Sequence, residues 1–390
     1  MIEREYRNHI DIAMLTAVIA LMFLSLGIVY SASASWALEK YGESERMLFS
    51  HAIKVFLGLG MLFIGMSVDY HRIKRFSKIA LTGAIVLLIF TLALGGEAKG
   101  ATRWLRFSWI GIQPSEFAKY ALLFHLCSLI AIKGEAVKDF KRGFLPMVTW
   151  IGVVTVLVMK QPNFSMGTMI FALSIMVLFI GRVKVTHILL LFLLIIPTLL
   201  LYMWSAEYRR VRIMNFIHGG TTMTAHNYQL MQGILGFGNG GIFGVGLGES
   251  KQRDLFLPES YGDFVFSIIG EEYGLVGTVA IMGLFLFIML RGFRIAKHAA
   301  DDFGRNLAIT ITCAITLYAL INASVTLGMV PTTGLPMPFV SYGGSSMVFS
   351  ALAIGILLNI SSQTDLFPRV TQVPVIGEVN ADEPAVGKVY

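Results

Sequence analysis

The sequence predicts an all-α integral membrane protein, a polytopic bundle of about ten transmembrane helices with a large extracytoplasmic loop between spans 7 and 8. Hydrophobic residues make up 55% of the chain and charged residues only 14%, whereas soluble domains carry about 25% charged residues. Apolar runs close to the ~20 residues that span a bilayer recur along the chain. Backbone groups in lipid need partners within their own segment, so these runs are predicted to be helices.

The first predicted span, residues 11–32, follows Arg4 and Arg7. The Ser-Ala-Ser-Ala-Ser-Trp-Ala sequence after Tyr30 resembles a signal-peptidase site, but the apolar run exceeds the ~7–15 residues of a cleavable signal. We therefore predict an uncleaved helix. The other predicted spans are residues 53–69, 79–95, 115–132, 143–160, 164–181, 184–204, 264–290, 306–330 and 345–362.

Two long segments lie outside these spans. Residues 205–263 are predicted to form the large outer loop. Residues 363–390 contain several prolines and few apolar runs, which predicts a mobile cytoplasmic tail. Cys127 and Cys313 both fall inside apolar runs, so they provide no disulfide framework.

The distribution of basic residues predicts the orientation. With the N-terminus inside, the inner segments hold more than half of the 31 Lys and Arg residues, which places both termini in the cytoplasm. The net charge of +7 is then explained by cytoplasmic loops and lipid contact. We expect no nucleic-acid partner, because no aromatic and basic RNA- or DNA-binding module is visible.

Asp263 stands at the threshold of the predicted span 264–290, after a glycine-rich and then polar stretch. A carboxylate where water meets hydrocarbon costs free energy, which indicates a functional site. The alternative is an acidic residue at a helix N-terminus, stabilised by the helix dipole.

Several further candidates lie at the predicted outer ends of spans or in the segments beyond them. Glu116 and Lys119 are three residues apart and share a helix face, so they can pair; the alternative is a purely structural ion pair. Arg103 and Trp104 fit either an interfacial anchor or a phosphate-binding edge. Lys160 either extends its charge to the interface or faces a lipid headgroup.

The segment 208–217 predicts an interfacial amphipathic helix. Its basic residues, Arg209 and Arg210 among them, would attract anionic headgroups, although a simple membrane anchor would have the same pattern.

Two glycine-rich segments require separate interpretations. Residues 236–241 match G-x-G-x-x-G, but no strand precedes them, so we reject a dinucleotide site and predict a re-entrant or compact loop. Between Val330 and Met347, prolines and glycines separate two spans, and such backbone lies at membrane depth only beside a wet cavity. The donors there either bind an oxyanion or belong to a rigid turn; they are Ser341, Tyr342, Gly343 and Gly344.

Nearly all of the chain resembles the SEDS family (shape, elongation, division and sporulation). The resemblance is carried by VYSAS at 29–33, GATRWLRFSWIGIQPSEFAK at 100–119, YRRVRI at 208–213, NYQ at 227–229, GVGLGESKQRDLFLPESYGDFVFSIIGEEYGLVG at 244–277 and PTTGLPMPFVSYGGSS at 331–346. The GLGES and FLPE sequences and the YRR run are more typical of the cell-division branch than of the elongation branch.

This resemblance implies a peptidoglycan glycosyltransferase that polymerises lipid II outside the bacterial cytoplasmic membrane, during septal synthesis. It also implies a lipid-linked nascent glycan strand, a class B penicillin-binding protein and other division proteins as partners. Asp263 matches the essential aspartate of the family, and Glu116 and Lys119 match its QPSEFAK motif. Gln229 and Glu259 lie in matching motifs and are added as substrate-binding candidates.

The chain departs from the family pattern at two places. Tyr261-Gly262 stands where His-Thr is common, and Asn163 replaces a frequent aspartate, which puts any cation pairing at Asn163 in doubt.

The hypothesis that follows makes Asp263 the general base for the acceptor sugar hydroxyl. Lys119, Arg103, Lys160 and a divalent cation, Mg²⁺ or Mn²⁺, are candidates for stabilising the departing diphosphate, with Glu116 holding Lys119. A single in-line displacement would invert the anomeric carbon. The alternatives are a lipid II flippase or transporter, against which no internal repeat is visible, and a non-catalytic division scaffold.

Overall fold

The computed structural model describes residues 9–94, 96–98, 101–107, 110–205, 207, 210, 211, 214, 216 and 225–364. Arg209 and residues 365–390 of the predicted tail lie outside these ranges. The helices in the described part are α1 (Ile12–Tyr41), α2 (Arg46–Ser67), α3 (Tyr70–Leu94), α4 (Pro114–Lys133), α5 (Leu145–Lys160), α6 (Phe164–Ile180), α7 (Val185–Trp204), α8 (Ala225–Gly240), α9 (Val265–Lys297), α10 (Asp302–Thr326) and α11 (Gly344–Ser362).

The helices confirm the predicted class, a multi-pass membrane protein. Within the described residues, eight helices are long and apolar enough to cross a membrane, and Phe164–Ile180 and Val185–Thr198 are shorter apolar helices. Several helices are longer than their predicted spans, because polar residues can continue a helix beyond the apolar run. For example, α2 begins at Arg46 and α3 at Tyr70. Helix α1 continues to Tyr41 and ends where Gly42 adopts a left-handed conformation and donates to the Leu38 carbonyl.

The connection between α3 and α4 contains β-structure that hydropathy did not predict. Strands β1 (Gly96–Ala98), β2 (Ala101–Phe107) and β3 (Ile110–Ile112) form an antiparallel sheet in the order β1-β2-β3. The prediction of helices concerned the apolar runs, and this sheet lies between two of them. Strands are allowed here because water can satisfy an exposed sheet edge, whereas lipid cannot.

The predicted outer loop 205–263 contains α8 and a π-helical turn at Gln252–Phe256. Residues 236–240, for which a loop was predicted, instead form the end of α8, because glycine lets this helix approach the Gly270 carbonyl of α9 closely. The chain after α8 then folds back on α9, where Val245 and Gly246 donate to the carbonyl oxygens of Glu271 and Glu272. The Glu271 carboxylate also accepts bonds from Ser250 and the Gln252 amide, and Glu272 from Ser31 and the Gly248 amide. These two buried carboxylates hold the loop leading to Asp263 against α1 and α9.

Helix α11 packs closely along α2 because both contribute glycines to the contact. A Cβ at Gly65 would lie 2.6 Å from the Leu352 carbonyl, and a Cβ at Gly355 would lie 2.2 Å from the Leu62 carbonyl. Small residues let backbones approach in this way within membranes. The close packing brings the start of α11 beside the Lys54 side chain.

Candidate functional site

Asp263 lies in the turn that leads into α9, one residue before the helix cap Phe264. The side chain of Asn322, on α10 and only 1% exposed, donates to the Asp263 carbonyl at 2.8 Å. The same amide nitrogen donates to the Leu335 carbonyl, also at 2.8 Å. One buried amide therefore ties the turn that carries Asp263 to the loop between α10 and α11.

The Asp263 carboxylate rests against that second loop. Gly334 has φ +72°, and a Cβ at this position would lie 3.2 Å from Asp263 Oδ2. The two loops are joined again where the Tyr342 amide donates to the Tyr261 carbonyl at 2.9 Å. Asp263 is thus held by the loop between α10 and α11 as well as by its own turn. An acidic residue that only stabilised the N-terminus of its own helix would not need this second contact.

Two tyrosines flank this junction. The Tyr261 and Tyr342 rings meet edge to face with centroids 5.7 Å apart. Burial raises the pKa of Tyr261 to about 12 and raises the pKa of Tyr342 above its ordinary value. Both phenols therefore stay protonated at neutral pH and do not act as bases there.

Glu116 and Lys119 form an ion pair of 2.7 Å on α4, as their spacing predicts. Their side chains are only 3% and 2% exposed. The Lys119 ammonium also lies 4.0 Å from the Tyr318 ring centre on α10. The pair is thus buried and neutralised, a geometry that favours the structural interpretation over direct contact with a diphosphate.

The buried pair and Asp263 are linked through α10. Tyr318 and Asn322 are four residues apart, so they lie on one face about 6 Å apart along the axis. Tyr318 contacts Lys119, and Asn322 contacts the Asp263 backbone. The Glu116–Lys119 pair and the Asp263 turn therefore contact adjacent parts of the same face of α10. Of these three residues, only Asp263 belongs to the junction between the two loops.

Removing one partner of the buried pair should destabilise the fold. Glu116→Gln or Lys119→Met alone should cost about 3–5 kcal/mol, because an uncompensated charge is left in a low dielectric. The double variant Glu116→Leu/Lys119→Met should recover most of that loss. Thermal unfolding of the purified variants checks this expectation. Single variants that unfold like the wild type yet lose activity would instead assign the pair to the substrate.

Arg103 on β2 holds the turn between α5 and α6. Its Nε donates to the Gln161 carbonyl at 3.2 Å, and a terminal nitrogen donates to the Pro162 carbonyl. Asn163 caps α6 by accepting from the Met166 amide at 3.4 Å. This cap is the role that the structure gives to Asn163.

Trp104 and Lys160 occupy different surroundings. The Trp104 ring packs over Gly111 of β3, 3.5 Å from where a Cβ would stand. Lys160 is the last residue of α5 and is exposed. Arg210 is also exposed. The Lys160 and Arg210 side chains are therefore accessible to lipid headgroups.

Gln229 and Glu259 shape the segment before Asp263. Gln229 donates from Nε2 to the Pro258 carbonyl at 3.1 Å, which ties α8 to this segment. Glu259 has φ +55°, and its carbonyl accepts from the Gly262 amide at 2.9 Å. Both residues contribute to the turn that presents Asp263.

The predicted donors between α10 and α11 have different surroundings: Ser341 bonds within its own turn, Tyr342 reaches α2, and the two glycines begin α11. Ser341 Oγ accepts from the Met337 amide at 2.8 Å, so it stabilises the turn itself. The Tyr342 hydroxyl lies 2.9 Å from Ser50 Oγ on α2. Gly343 is the cap of α11 and Gly344 its first residue.

Two residues of this site were not among the sequence candidates. Lys54 on α2 places its ammonium 3.3 Å from the Tyr342 ring centre. Asn322 bridges the two loops. The available signal was a single polar side chain inside an apolar span, which indicates function in a membrane protein.

The described residues do not form a metal cage. No group of three His, Cys, Asp or Glu side chains that could hold a metal ion occurs in the part of the chain that the structure describes. Magnesium often takes one or two carboxylates plus phosphate oxygens. A Mg²⁺ or Mn²⁺ ion here would therefore depend on the diphosphate of a substrate for its ligands.

Comparison with known proteins gives a consistent result. A sequence model of the FtsW/RodA/SpoVE family, described as "Cell cycle protein", matches residues 12–366. The chain is 38% identical to the probable peptidoglycan glycosyltransferase FtsW of Geobacter metallireducens, over 90% of this chain and 95% of that protein. It is 34% identical to the stage V sporulation protein E of Bacillus subtilis, over 89% of this chain and 96% of that protein.

Solved structures share the fold. A chain of a peptidoglycan synthase complex that coordinates polymerization and crosslinking superposes with a TM-score of 0.75 at 24% identity, covering 90% of this chain and 97% of that chain. The crystal structure of the rod shape determining protein RodA of Thermus thermophilus superposes with a TM-score of 0.66 at 22% identity, covering 91% and 98%.

Proposed function

The chain belongs to the FtsW/RodA/SpoVE family of cell cycle proteins, and from this premise we propose that it is a peptidoglycan glycosyltransferase that polymerises lipid II at the outer face of the bacterial cytoplasmic membrane. The family resemblance inferred from the motifs is confirmed, as is its closeness to FtsW. The observation that supports the chemistry most directly is the Asp263 carboxylate, held against Gly334 by the Asn322 bridge.

In the proposed reaction, Asp263 takes the proton of the acceptor sugar 4-hydroxyl as that oxygen attacks the anomeric carbon of the donor. The new glycosidic bond forms as the bond between the anomeric carbon and the polyprenyl diphosphate breaks. The proton ends on the Asp263 carboxylate, and the electron pair leaves with the diphosphate. One in-line step of this kind inverts the anomeric carbon.

A single carboxylate suits this leaving group. Glycosidases usually need a second carboxyl group to protonate a departing sugar oxygen. A diphosphate leaves without that proton once its negative charge is stabilised. Asp263 beside two protonated tyrosines therefore supplies the base that the reaction needs.

The remaining candidates have supporting roles in this proposal. Arg103 holds the turn between α5 and α6, and Trp104 packs over Gly111 of β3. Lys160, Arg209 and Arg210 attract the anionic lipid headgroup, while Gln229 and Glu259 maintain the turn before Asp263. A divalent cation bound mainly by the diphosphate would add to the charge stabilisation.

The setting of the reaction is also proposed. The fold match to a chain of a peptidoglycan synthase complex supports a transpeptidase partner of the class B penicillin-binding type. Both termini would lie in the cytoplasm, and the protein would act at the division septum with other division proteins and a lipid-linked nascent strand.

Polymerisation of fluorescent lipid II by the purified protein tests the proposal. Proteoliposomes with and without the cognate transpeptidase should yield glycan chains that a muramidase degrades. An arm with EDTA tests the divalent cation, since loss of activity that Mg²⁺ or Mn²⁺ restores would support it. Transbilayer movement of lipid II without chain formation would contradict the enzyme and support a flippase, while inactivity in both assays would support a scaffold.

A further inference from the structure

Lys54 is a cation inside a membrane-spanning helix. It lies eight residues into α2, about 12 Å along the helix axis from Arg46. No carboxylate lies within ion-pair distance of its ammonium in the ranges that the structure describes, whereas Lys119 is paired with Glu116 at 2.7 Å. Charged side chains at membrane depth are normally paired or belong to a functional site. Lys54 therefore carries a positive charge that another group should neutralise.

The side chain is held in a defined place. Its ammonium lies 3.3 Å from the centre of the Tyr342 ring. The Tyr342 hydroxyl lies 2.9 Å from Ser50 Oγ, and Tyr261 meets the ring edge to face. The alkyl stem passes over Gly344, where a Cβ would come within 3.3 Å of Lys54 Cδ. Tyr342 and Gly344 together thus set the position of the ammonium.

This position is connected through Tyr342 to the turn that carries the proposed base. The Tyr342 amide donates to the Tyr261 carbonyl at 2.9 Å, and Tyr261 stands two residues before Asp263. The ring under Lys54 therefore belongs to the same loop junction that holds the Asp263 carboxylate. Lys54 is half-buried and so remains accessible, in contrast to Lys119, which is 1% exposed.

The contact with the Tyr342 ring leaves the charge of Lys54 in place. A cation over an aromatic face is attracted by the quadrupole of the ring, but no negative charge is supplied. An ammonium can donate three hydrogen bonds, and bonds to phosphate oxygens are strengthened by the opposite charge. The arrangement therefore fits a multiply charged phosphate group in a medium of low dielectric constant.

We propose that Lys54 binds the diphosphate of the polyprenyl-linked sugar substrate, with Tyr342 and Gly344 as positioning residues. The inference rests on the proposed function for the identity of the substrate. Lys54 would then take the role that the motif resemblance suggested for Lys119. It would neutralise the charge that builds on the diphosphate as its bond to the anomeric carbon breaks.

The test compares Lys54→Met and Lys54→Arg with the matched control Lys40→Met. Lys40 also lies over an aromatic ring, 4.4 Å from the centre of Trp36, but it is exposed. Binding of undecaprenyl diphosphate, of uncharged undecaprenol and of phosphatidylglycerol is measured for each purified protein, together with thermal unfolding and the KM for lipid II.

Lys54→Met should weaken binding of undecaprenyl diphosphate and raise the KM for lipid II by about tenfold or more, the effect of losing a charge-assisted hydrogen bond. Undecaprenol binding and the unfolding temperature should stay unchanged. Lys54→Arg should retain most of the affinity, and Lys40→Met should match the wild type. These results would support the proposal.

Three outcomes would overturn it. Undecaprenyl diphosphate could bind Lys54→Met as it binds the wild type. In Lys54→Met, undecaprenol binding and thermal stability could fall together with undecaprenyl diphosphate binding, which would assign Lys54 a structural role. Binding of phosphatidylglycerol alone could be lost while the KM for lipid II is unchanged, which would make this a headgroup contact. Failure of the proposed function differs from all three, because wild-type protein would then not polymerise lipid II.

Discussion

Asp263→Asn should abolish lipid II polymerisation while leaving the fold intact. Asparagine has nearly the same shape as aspartate, but its amide cannot accept the proton of the sugar hydroxyl. General base catalysis contributes about 10²–10⁴-fold to rate, so we expect a loss of at least that size. The Asn322 bridge reaches the backbone carbonyl at this position, so the substitution does not remove it. Single-turnover polymerisation of fluorescent lipid II and thermal unfolding measure the two effects.

Asp254→Asn provides a matched control for the loss of negative charge. Asp254 lies in the same connection between α7 and α9, is exposed, and accepts a hydrogen bond from Ser35 Oγ at 2.5 Å. This variant should retain wild-type activity. If Asp263→Asn polymerises lipid II at the wild-type rate, the base role is excluded, and the carboxylate is then a positional feature of the turn.

Gly334→Ala should reduce polymerisation about 100-fold, because it moves the carboxylate of the proposed base. The new methyl group would lie 3.2 Å from Asp263 Oδ2, so either the carboxylate or the loop must shift. Misplacement of a reacting group by about 1 Å can cost about 10²-fold in rate. The effect should appear in kcat rather than in binding of undecaprenyl diphosphate. The rate of chain formation at saturating lipid II measures it.

Gly42→Ala separates this displacement from backbone strain. Gly42 has φ +76°, close to the φ +72° of Gly334, but no atom lies within 4 Å of its missing Cβ. Each alanine in this region of φ costs about 1–2 kcal/mol, so both variants should lose similar thermal stability. Only Gly334→Ala should lose activity. Equal activity losses in the two variants would show that strain, and not the contact with Asp263, is responsible.

Hydropathy alone was sufficient for the class of fold. Apolar runs of membrane length and scarce charge lead to a helical bundle, since lipid leaves the backbone no other partners. The sequence also made Asp263 a candidate, because a carboxylate at the membrane boundary is rare enough to stand out. Hydropathy did not predict the sheet in the α3–α4 connection, because this segment lies outside the apolar runs on which a hydropathy prediction depends.

Pairings between distant segments needed the folded chain. The Glu116–Lys119 spacing predicted an ion pair, yet the same two residues on an open helix face could have met a diphosphate. Their burial against Tyr318 favours the structural interpretation, since a paired and enclosed lysine has little charge to offer.

The linear order of residues thus determined which segments enter the membrane and which charged groups are costly there. Only the tertiary structure decided which of those groups meet: Asn322 reaches both Asp263 and Leu335, and Lys54 reaches Tyr342 from another helix. The physical reason is that hydrophobicity acts on each residue separately and has no direction. Hydrogen bonds and charge contacts depend on distances of a few ångströms between helices, which the packing of glycines and side chains sets.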